Sequence, residues 1–527
     1  MTPEERTFKY RWVILVGLIT AAIMEVLDST IVNVSLPQMA GNLGATSEEI
    51  GWVATGYILA NVVILPATAW LASRFGRKRY LAFSIVLFTA SSVMCGLSTS
   101  LSMLIFWRIV QGAGGAALLS TAQATLREIF PPQEMAMTQA IYVLGIIMAP
   151  TIGPTLGGWI TDNYGWHWTF LINLPIGIIA YFLVTGFLED SKFKMDTGQI
   201  DWLGFGLLAV GLGCLQYGLE EGNTKLWFQD PGIVMCFTVV LIALPALVIW
   251  ELSPKNPVPI VNFRVFHNPQ LSAAAILFVV LGFGLYGGVF MYPLFAQNEL
   301  MLTPTQTGLA LFPGGLATGV MAIVSARLTS GKIKVPPRAL IITGLTILVC
   351  SMFWLSSLPP TSGVGDAQAA LLLRGAGLGL LFTPINLAAF STLKGPEIAQ
   401  GSSMLNLSRQ LGGSFGIAIL ATYLTNQSIT DKAVLGRGLI VGSNYPMTQR
   451  YDLAVQLFVS RGFPLATAQK AASDVIVQAL NGQAQAVAFN QSFLLIGIAI
   501  IATAPAILLL RPPKGSPAPA AAPADMH

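Results

Sequence analysis

Long apolar runs alternate with short polar segments along almost the whole chain. They fall at about 12–37, 50–72, 80–98, 101–126, 138–160, 167–188, 201–219, 231–250, 271–293, 305–326, 339–358, 367–391, 402–424 and 488–510. A helix needs about 20 apolar residues to cross a bilayer, so the pattern predicts fourteen membrane-spanning helices and an all-α polytopic membrane protein. An even number places both termini on the same side. The segment 425–487 is long and mostly polar. Within it YDLAVQLFVSRGFP and LATAQKAASDVIVQALNGQAQAVAF carry apolar residues at helical spacing, separated at Pro464 after Gly462. This predicts a helical hairpin over the outer mouth. It is either a lid or a docking surface. The tail 512–527 is rich in Pro and Ala and reads as disordered.

Basic residues orient the array. With the termini in the cytoplasm, the inner segments collect Arg6, Lys9, Arg11, Arg74, Arg77, Lys78, Arg79 and Arg127. They also collect Lys192, Lys194, Lys255, Arg264, Arg327, Lys332, Lys334, Arg338, Lys394, Arg511 and Lys514. The short outer loops hold only Lys225. This is the bias expected of cytoplasmic loops, and the long 425–487 loop is largely exempt from it. The first run is too long for a signal-peptide core and carries acids, so it is expected to remain in the mature chain.

Composition adds that 54% of residues are hydrophobic and only 10% charged, against about 25% charged in soluble domains. Cys95, Cys214, Cys236 and Cys350 lie in apolar runs without paired spacing, which suggests neither a disulfide framework nor a metal site. No G-x-x-x-x-G-K-[ST] loop occurs, so ATP is not the expected drive. No cofactor and no nucleic-acid partner is expected.

Two carboxylates interrupt the first run near its middle. Glu25 and Asp28 are spaced i, i+3 and share a helical face with Ser29 and Val32. An acid at that depth costs roughly 2.5–3.5 kcal/mol on insertion scales, so each needs a reason. They form the acidic wall of a buried cavity that exchanges protons, or they are neutralised by a buried Arg or by helix packing. The fourth run carries Arg108 with Gln111, Gly112 and Gly115 on one face. A buried Arg must find an anion, and a first-helix carboxylate is the natural one. Arg108 then either serves the cavity or staples two helices. Arg374 and Arg409 are also inside runs.

The loop Ser73-Arg-Phe-Gly-Arg-Lys-Arg79 reads as a tight turn, with Gly76 at the bend and Arg74 and Arg77 facing an anionic leaflet. Plain topogenic charge is the alternative. The fifth run places Gly145, Ala149, Gly153 and Gly157 every four positions, with Gly158, Pro150 and Pro154 among them. Small residues at that spacing allow close helix approach, and the prolines bend the helix. Such a helix either hinges a cavity or simply packs.

An internal repeat is visible. Gln111-Gly-Ala-Gly114 in the fourth run echoes Arg374-Gly-Ala-Gly377 in the twelfth, and FPPQEMAM after one echoes LKGPEIAQ after the other. SRFGRKR has a weaker counterpart in ARLTSGKIK. The echoes predict a six-helix half within 1–190, two inserted helices within 191–270 and a second six-helix half within 271–511, including the 425–487 loop. Parallel six-span repeats describe alternating-access transporters with a midplane site between halves.

These residues resemble the major facilitator superfamily, and within it the fourteen-span drug/proton antiporters, most closely the EmrB-like multidrug exporters. The resemblance covers nearly the whole chain. It rests on LDSTIVNVSLP (Leu27–Pro37), LASRFGRKR (Leu71–Arg79), RIVQGAGGA (Arg108–Ala116), APTIGPTLGGWI (Ala149–Ile160), WHWTFLINLPIG (Trp166–Gly177) and SRQLGGSFG (Ser408–Gly416).

The resemblance implies that Asp28 is the proton-coupling acid, with Arg108 and Glu25 beside it. It implies a substrate cavity lined by Glu25, Asp28, Ser29, Asn33, Gln111 and Arg409. It implies gating roles for Arg74, Gly76, Arg77, Gly145, Pro150, Gly153, Pro154, Gly157 and Gly158. Two departures stand out. Ser73 replaces the family's usual acid and Ala69 its usual Gly, which removes one charge latch. Glu25 adds a carboxylate that is not a general family feature.

The expected function is proton-driven efflux of lipophilic compounds across a bacterial inner membrane, with a periplasmic adaptor and an outer-membrane channel as partners. Rival readings are an uptake symporter, a dedicated exporter of one metabolite or siderophore, and a transport-inactive scaffold or sensor.

Overall fold

The computed structural model describes residues 7–190, 201–256, 259–330, 335–359, 363–393, 397–437 and 445–509. The tail 512–527, the first residues of the expected inserted unit (191–200) and the centre of the outer loop (438–444) lie outside the described residues.

The long helices are α1 (Arg11–Leu43), α2 (Ser47–Ile64, continued through a 3-10 turn into Thr68–Phe75), α3 (Arg77–Gly96), α4 (Leu101–Ile129) and α5 (Pro132–Tyr164). Then come α6 (Asn173–Phe187), α7 (Trp202–Glu221), α8 (Pro231–Leu252), α9 (Pro269–Asn298) and α10 (Pro304–Ser330). The last are α11 (Pro337–Ser356), α12 (Val364–Phe390), α13 (Glu397–Gly436) and α14 (Leu465–Ala502). Their ends follow local chemistry. Thr46 and Glu49 form a capping box at the start of α2, and Ser100 and Asp230 accept from the first-turn amides of α4 and α8. Gly44 closes α1 at φ +65°, a conformation open to glycine at little cost.

Twelve of these helices are long and apolar enough to cross a membrane, thirteen if α5, which bends by 41° at Pro150–Ile152, counts as one span. The expected thirteenth, 402–424, lies in α13, which does not reach that hydropathy. Its Ser402, Ser403, Asn406 and Arg409 are buried among other helices rather than turned to lipid.

A second difference concerns the last span. The expected loop helix and the run at 488–510 are one continuous helix, α14, of 38 residues, ending at Ala502. Its Ala- and Gln-rich first half favours helix without a break, and Pro464 sits at its N-cap. At 1.5 Å per residue, α13 and α14 both outrun a bilayer, so the outer structure is largely their extension, with the helix Tyr445–Ser460 packed on α14.

The two six-helix groups pack alike. In the first, α1 lies on α5, α6 and α4, while α4 also lies on α2 and α3. In the second, α9 lies on α13, α14 and α12, while α12 also lies on α10 and α11. The groups meet mainly through α5 against α10 and α4 against α13. The α7–α8 hairpin leans on α2 and α13.

Candidate functional site

Asp28 and Arg108 form an ion pair at 2.6 Å, with side chains 0% and 1% exposed. Asp28 sits mid-way along α1, and the α1–α4 packing brings the two together. Each makes further hydrogen bonds. Gln111 and Asn173 donate to Oδ1 of Asp28 at 2.9 and 3.0 Å. Arg108 donates through Nε to the Val53 carbonyl at 2.9 Å and through Nη1 to Gln111 at 2.8 Å. Its guanidinium lies over the Tyr57 ring, 4.2 Å from the centre. A buried ion pair is favoured when its other donors and acceptors are also bonded, as Asp28 Oδ1 and Arg108 Nε are here.

Glu25 is in a different setting. Oε1 accepts from Asn61 of α2 at 3.1 Å, and Oε2 accepts from the Leu119 backbone N–H of α4 at 3.1 Å. No cation lies within ion-pairing distance among the described residues, although Arg409 on α13 is close enough to act on it electrostatically.

The two acids therefore do not form one open acidic wall. Asp28 and Gln111 are joined and fully buried, and Arg409 is buried at 3% exposure with its Nε unpartnered among the described residues. The Ser29 hydroxyl donates to the Val26 carbonyl of its own helix at 2.8 Å. Asn33, five residues beyond Asp28, is exposed and apart from the cluster. In this conformation the carboxylate of Asp28 is enclosed by its own partners.

The fifth-helix stripe packs on α1 as its spacing predicts. A Cβ at Gly145 would lie 2.7 Å from Ile19, at Gly153 it would run into Thr30, and at Gly157 it would lie 2.7 Å from the Ile31 carbonyl. Gly158 differs, with only Val34 at 3.8 Å. Pro150 marks the 41° bend, and Pro154 is half-buried one turn on.

At the basic loop, Gly76 has φ +88°. The Asp190 carboxylate accepts from the Lys78 backbone N–H at 3.0 Å, and Arg77 pairs with Glu128 of α4. Arg74 is exposed. Asp190 and Glu128 supply the acidic partners that Ser73 does not.

At the same end of the molecule the two groups are joined by uncharged polar side chains together with Arg127. Gln123 of α4 donates to Asn386 of α12 and accepts from Asn406 of α13 at 3.0 Å. Arg127 donates to the Asn386 carbonyl at 2.9 Å, Thr68 bonds Ser403 at 2.8 Å, and Ser402 donates to the Ser120 carbonyl at 2.9 Å.

Sequence reasoning missed Asn173, Asn61 and this joining cluster. Asn173 lies inside the WHWTFLINLPIG segment, which was the available signal.

Among known proteins, a family profile described as Major Facilitator Superfamily matches residues 18–417. The multidrug export protein EmrB of Haemophilus influenzae is 31% identical over 502 residues, covering 95% of this chain and 96% of its own. EmrB of Escherichia coli K12 is 30% identical over 506 residues, covering 96% of each. The crystal structure of the human organic anion transporter TETRAN aligns at TM-score 0.56 and 12% identity over 95% of this chain and 100% of its own, a likeness of fold alone.

Proposed function

Because the chain belongs to the Major Facilitator Superfamily, and is therefore a transporter and not an enzyme, we propose that it exports lipophilic compounds of several kinds across a bacterial inner membrane, driven by proton entry. The observation that carries this reading is the Asp28–Arg108 pair buried at the middle of α1. A carboxylate whose partner is a fixed guanidinium can change protonation only when the pair is loosened, which ties proton exchange to helix movement. Resemblance to EmrB proteins along nearly the full length supports a broad substrate range.

In this mechanism α1–α6 and α9–α14 are the rocking halves, α7 and α8 the inserted pair, and both termini are cytoplasmic. A proton from outside reaches the Asp28 cluster, with Glu25 as a second station. Protonation weakens the hold on Arg108, the halves rock, and the proton leaves inward. The unprotonated state takes a lipophilic substrate between the halves, and the next proton drives its release outward. One charge crossing 100 mV supplies about 2.3 kcal/mol. The α5 stripe on α1 and the Pro150 bend act as the hinge. The extended α13 and α14 with the helix Tyr445–Ser460 form the dock for a periplasmic adaptor leading to an outer-membrane channel.

The deciding experiment is proton release from acid-loaded proteoliposomes on adding a panel of lipophilic drugs, for wild type and Asp28→Asn. Drug-dependent release that is lost in Asp28→Asn is expected. Release equal in both would move the coupling role to Glu25 or elsewhere. No release with any drug would favour a dedicated exporter of one metabolite.

A further inference from the structure

The second six-helix group buries a cation with no matching acid. Arg374 of α12 is 7% exposed. It donates through Nη2 to the Leu285 carbonyl of α9 at 3.0 Å. Its Nε has no hydrogen-bond partner, and no carboxylate lies within ion-pairing distance among the described residues. Gly288 makes room for it: a Cβ there would stand 2.6 Å from Nε and 2.7 Å from Cζ. Arginine does not shed its proton in proteins, and an uncompensated buried charge is strongly destabilising. A countercharge is therefore required.

The internal repeat shows where it belongs. Arg374-Gly-Ala-Gly377 stands at the register of Gln111-Gly-Ala-Gly114. In the first group α1 presents the Asp28 carboxylate to Gln111 and Arg108. In the second, α9 presents only a carbonyl and Gly288 to Arg374. Among the described residues the second group places no acid on Arg374, and a space adjoins the guanidinium.

Arg374 lines a cavity of about 30 Å³ between α9, α10 and α12, closed on one side by Pro150 of α5. A site of about 10–15 Å³ on this measure admits one water, so the space suits one small ion and is far below drug size. Apart from Arg374, the only polar side chain on its wall is Thr318, whose hydroxyl now donates to the Gly314 carbonyl at 3.0 Å and can turn inward.

We propose that this cavity binds a small inorganic monovalent anion of chloride size, held by the Arg374 guanidinium with the Thr318 hydroxyl. The anion stands where the first group carries Asp28. It neutralises α12 against α9 and sits beside the Pro150 bend.

The test is thermal unfolding of the full-length protein in detergent, titrated with sodium chloride against sodium gluconate at constant ionic strength. It is run on wild type, Arg374→Gln and Arg374→Lys, with bromide as a heavy analogue located by anomalous scattering in crystals. A saturable rise in Tm with chloride and bromide but not gluconate is expected, together with a bromide peak beside Arg374. The rise should be lost in Arg374→Gln and weakened in Arg374→Lys. Absence of any chloride-specific rise in wild type overturns the proposal, and that arm needs no variant to fold. An equal rise in Arg374→Gln overturns it by placing the ion elsewhere. A rise given only by apolar carboxylates also overturns it, assigning Arg374 to substrate recognition.

Discussion

Asn173 of α6 and Gln111 of α4 donate to the same oxygen of Asp28, at 3.0 and 2.9 Å, leaving Oδ2 to Arg108. The carboxylate is thus held by two helices other than its own, α4 through Gln111 and Arg108 and α6 through Asn173. Removing the acid leaves Arg108 buried without an anion. Asp28→Ala is expected to destabilise the protein by about 3–5 kcal/mol, the range for breaking a buried pair by deleting one partner. Asp28→Asn should lose less, because an amide still accepts from Arg108. Thermal unfolding of the two variants checks the order, and a smaller loss for Ala than for Asn would contradict it.

Glu25 offers a separate outcome. Its two oxygens accept from Asn61 and the Leu119 N–H without an ion pair among the described residues. A glutamine can keep one of these bonds. Glu25→Gln should therefore fold and transport, with a lower proton-to-drug ratio or a narrowed substrate range. If paired flux measurements give wild-type values for both, Glu25 is a packing residue.

The α5 stripe contains its own control. Gly157 faces the Ile31 carbonyl at a distance no Cβ tolerates, whereas Gly158 has ordinary contact with Val34 alone. Overpacking typically costs about 1–3 kcal/mol. Gly157→Ala should reduce drug export severely and lower Tm, and Gly158→Ala should leave both near wild type. Equal effects of the two would remove the α1–α5 contact from the mechanism.

How far the sequence carries these arguments depends on the kind of signal. Asp28 and Arg108 were legible because charges inside apolar runs are rare and must find partners. Asn173 and Asn61 were not, because an uncharged amide in a span carries no comparable penalty and gives no spacing to read. The apolar runs located the helices, and the mean hydropathy of α13 is lowered by polar residues such as Ser402 and Asn406, which bond α4. The end of α14 was misplaced for the opposite reason. Alanine and glutamine continue a helix as readily outside a bilayer as leucine does within it. No acidic partner of Arg374 was legible, and none stands within ion-pairing distance of it among the described residues.

The last prediction concerns the joint at the basic-loop end. Gln123 links Asn386 of α12 and Asn406 of α13, and Arg127 caps the Asn386 carbonyl, so four side chains tie α4 to the second group. The three amides are buried, Gln123 at 3%, Asn386 at 0% and Asn406 at 4% exposure, and Arg127 is half-buried. Each hydrogen bond of this kind contributes about 0.5–1.5 kcal/mol net, enough for two or three to bias a rocking equilibrium by tenfold or more. Such bonds are also exchangeable for water when the end opens, unlike a charge that would be stranded. Gln123→Ala with Asn386→Ala should therefore shift the protein toward a form open at the basic-loop end. A cysteine placed by Ser402→Cys, now buried at 0%, reports it: labelling by a membrane-impermeant maleimide from that side should accelerate by about tenfold in the double variant, in line with the hydrogen bonds removed. Unchanged labelling would mean that the Gln123 and Asn386 side chains do not hold this end shut, leaving that to the remaining contacts such as Thr68–Ser403 and Arg127 on the residue 386 carbonyl.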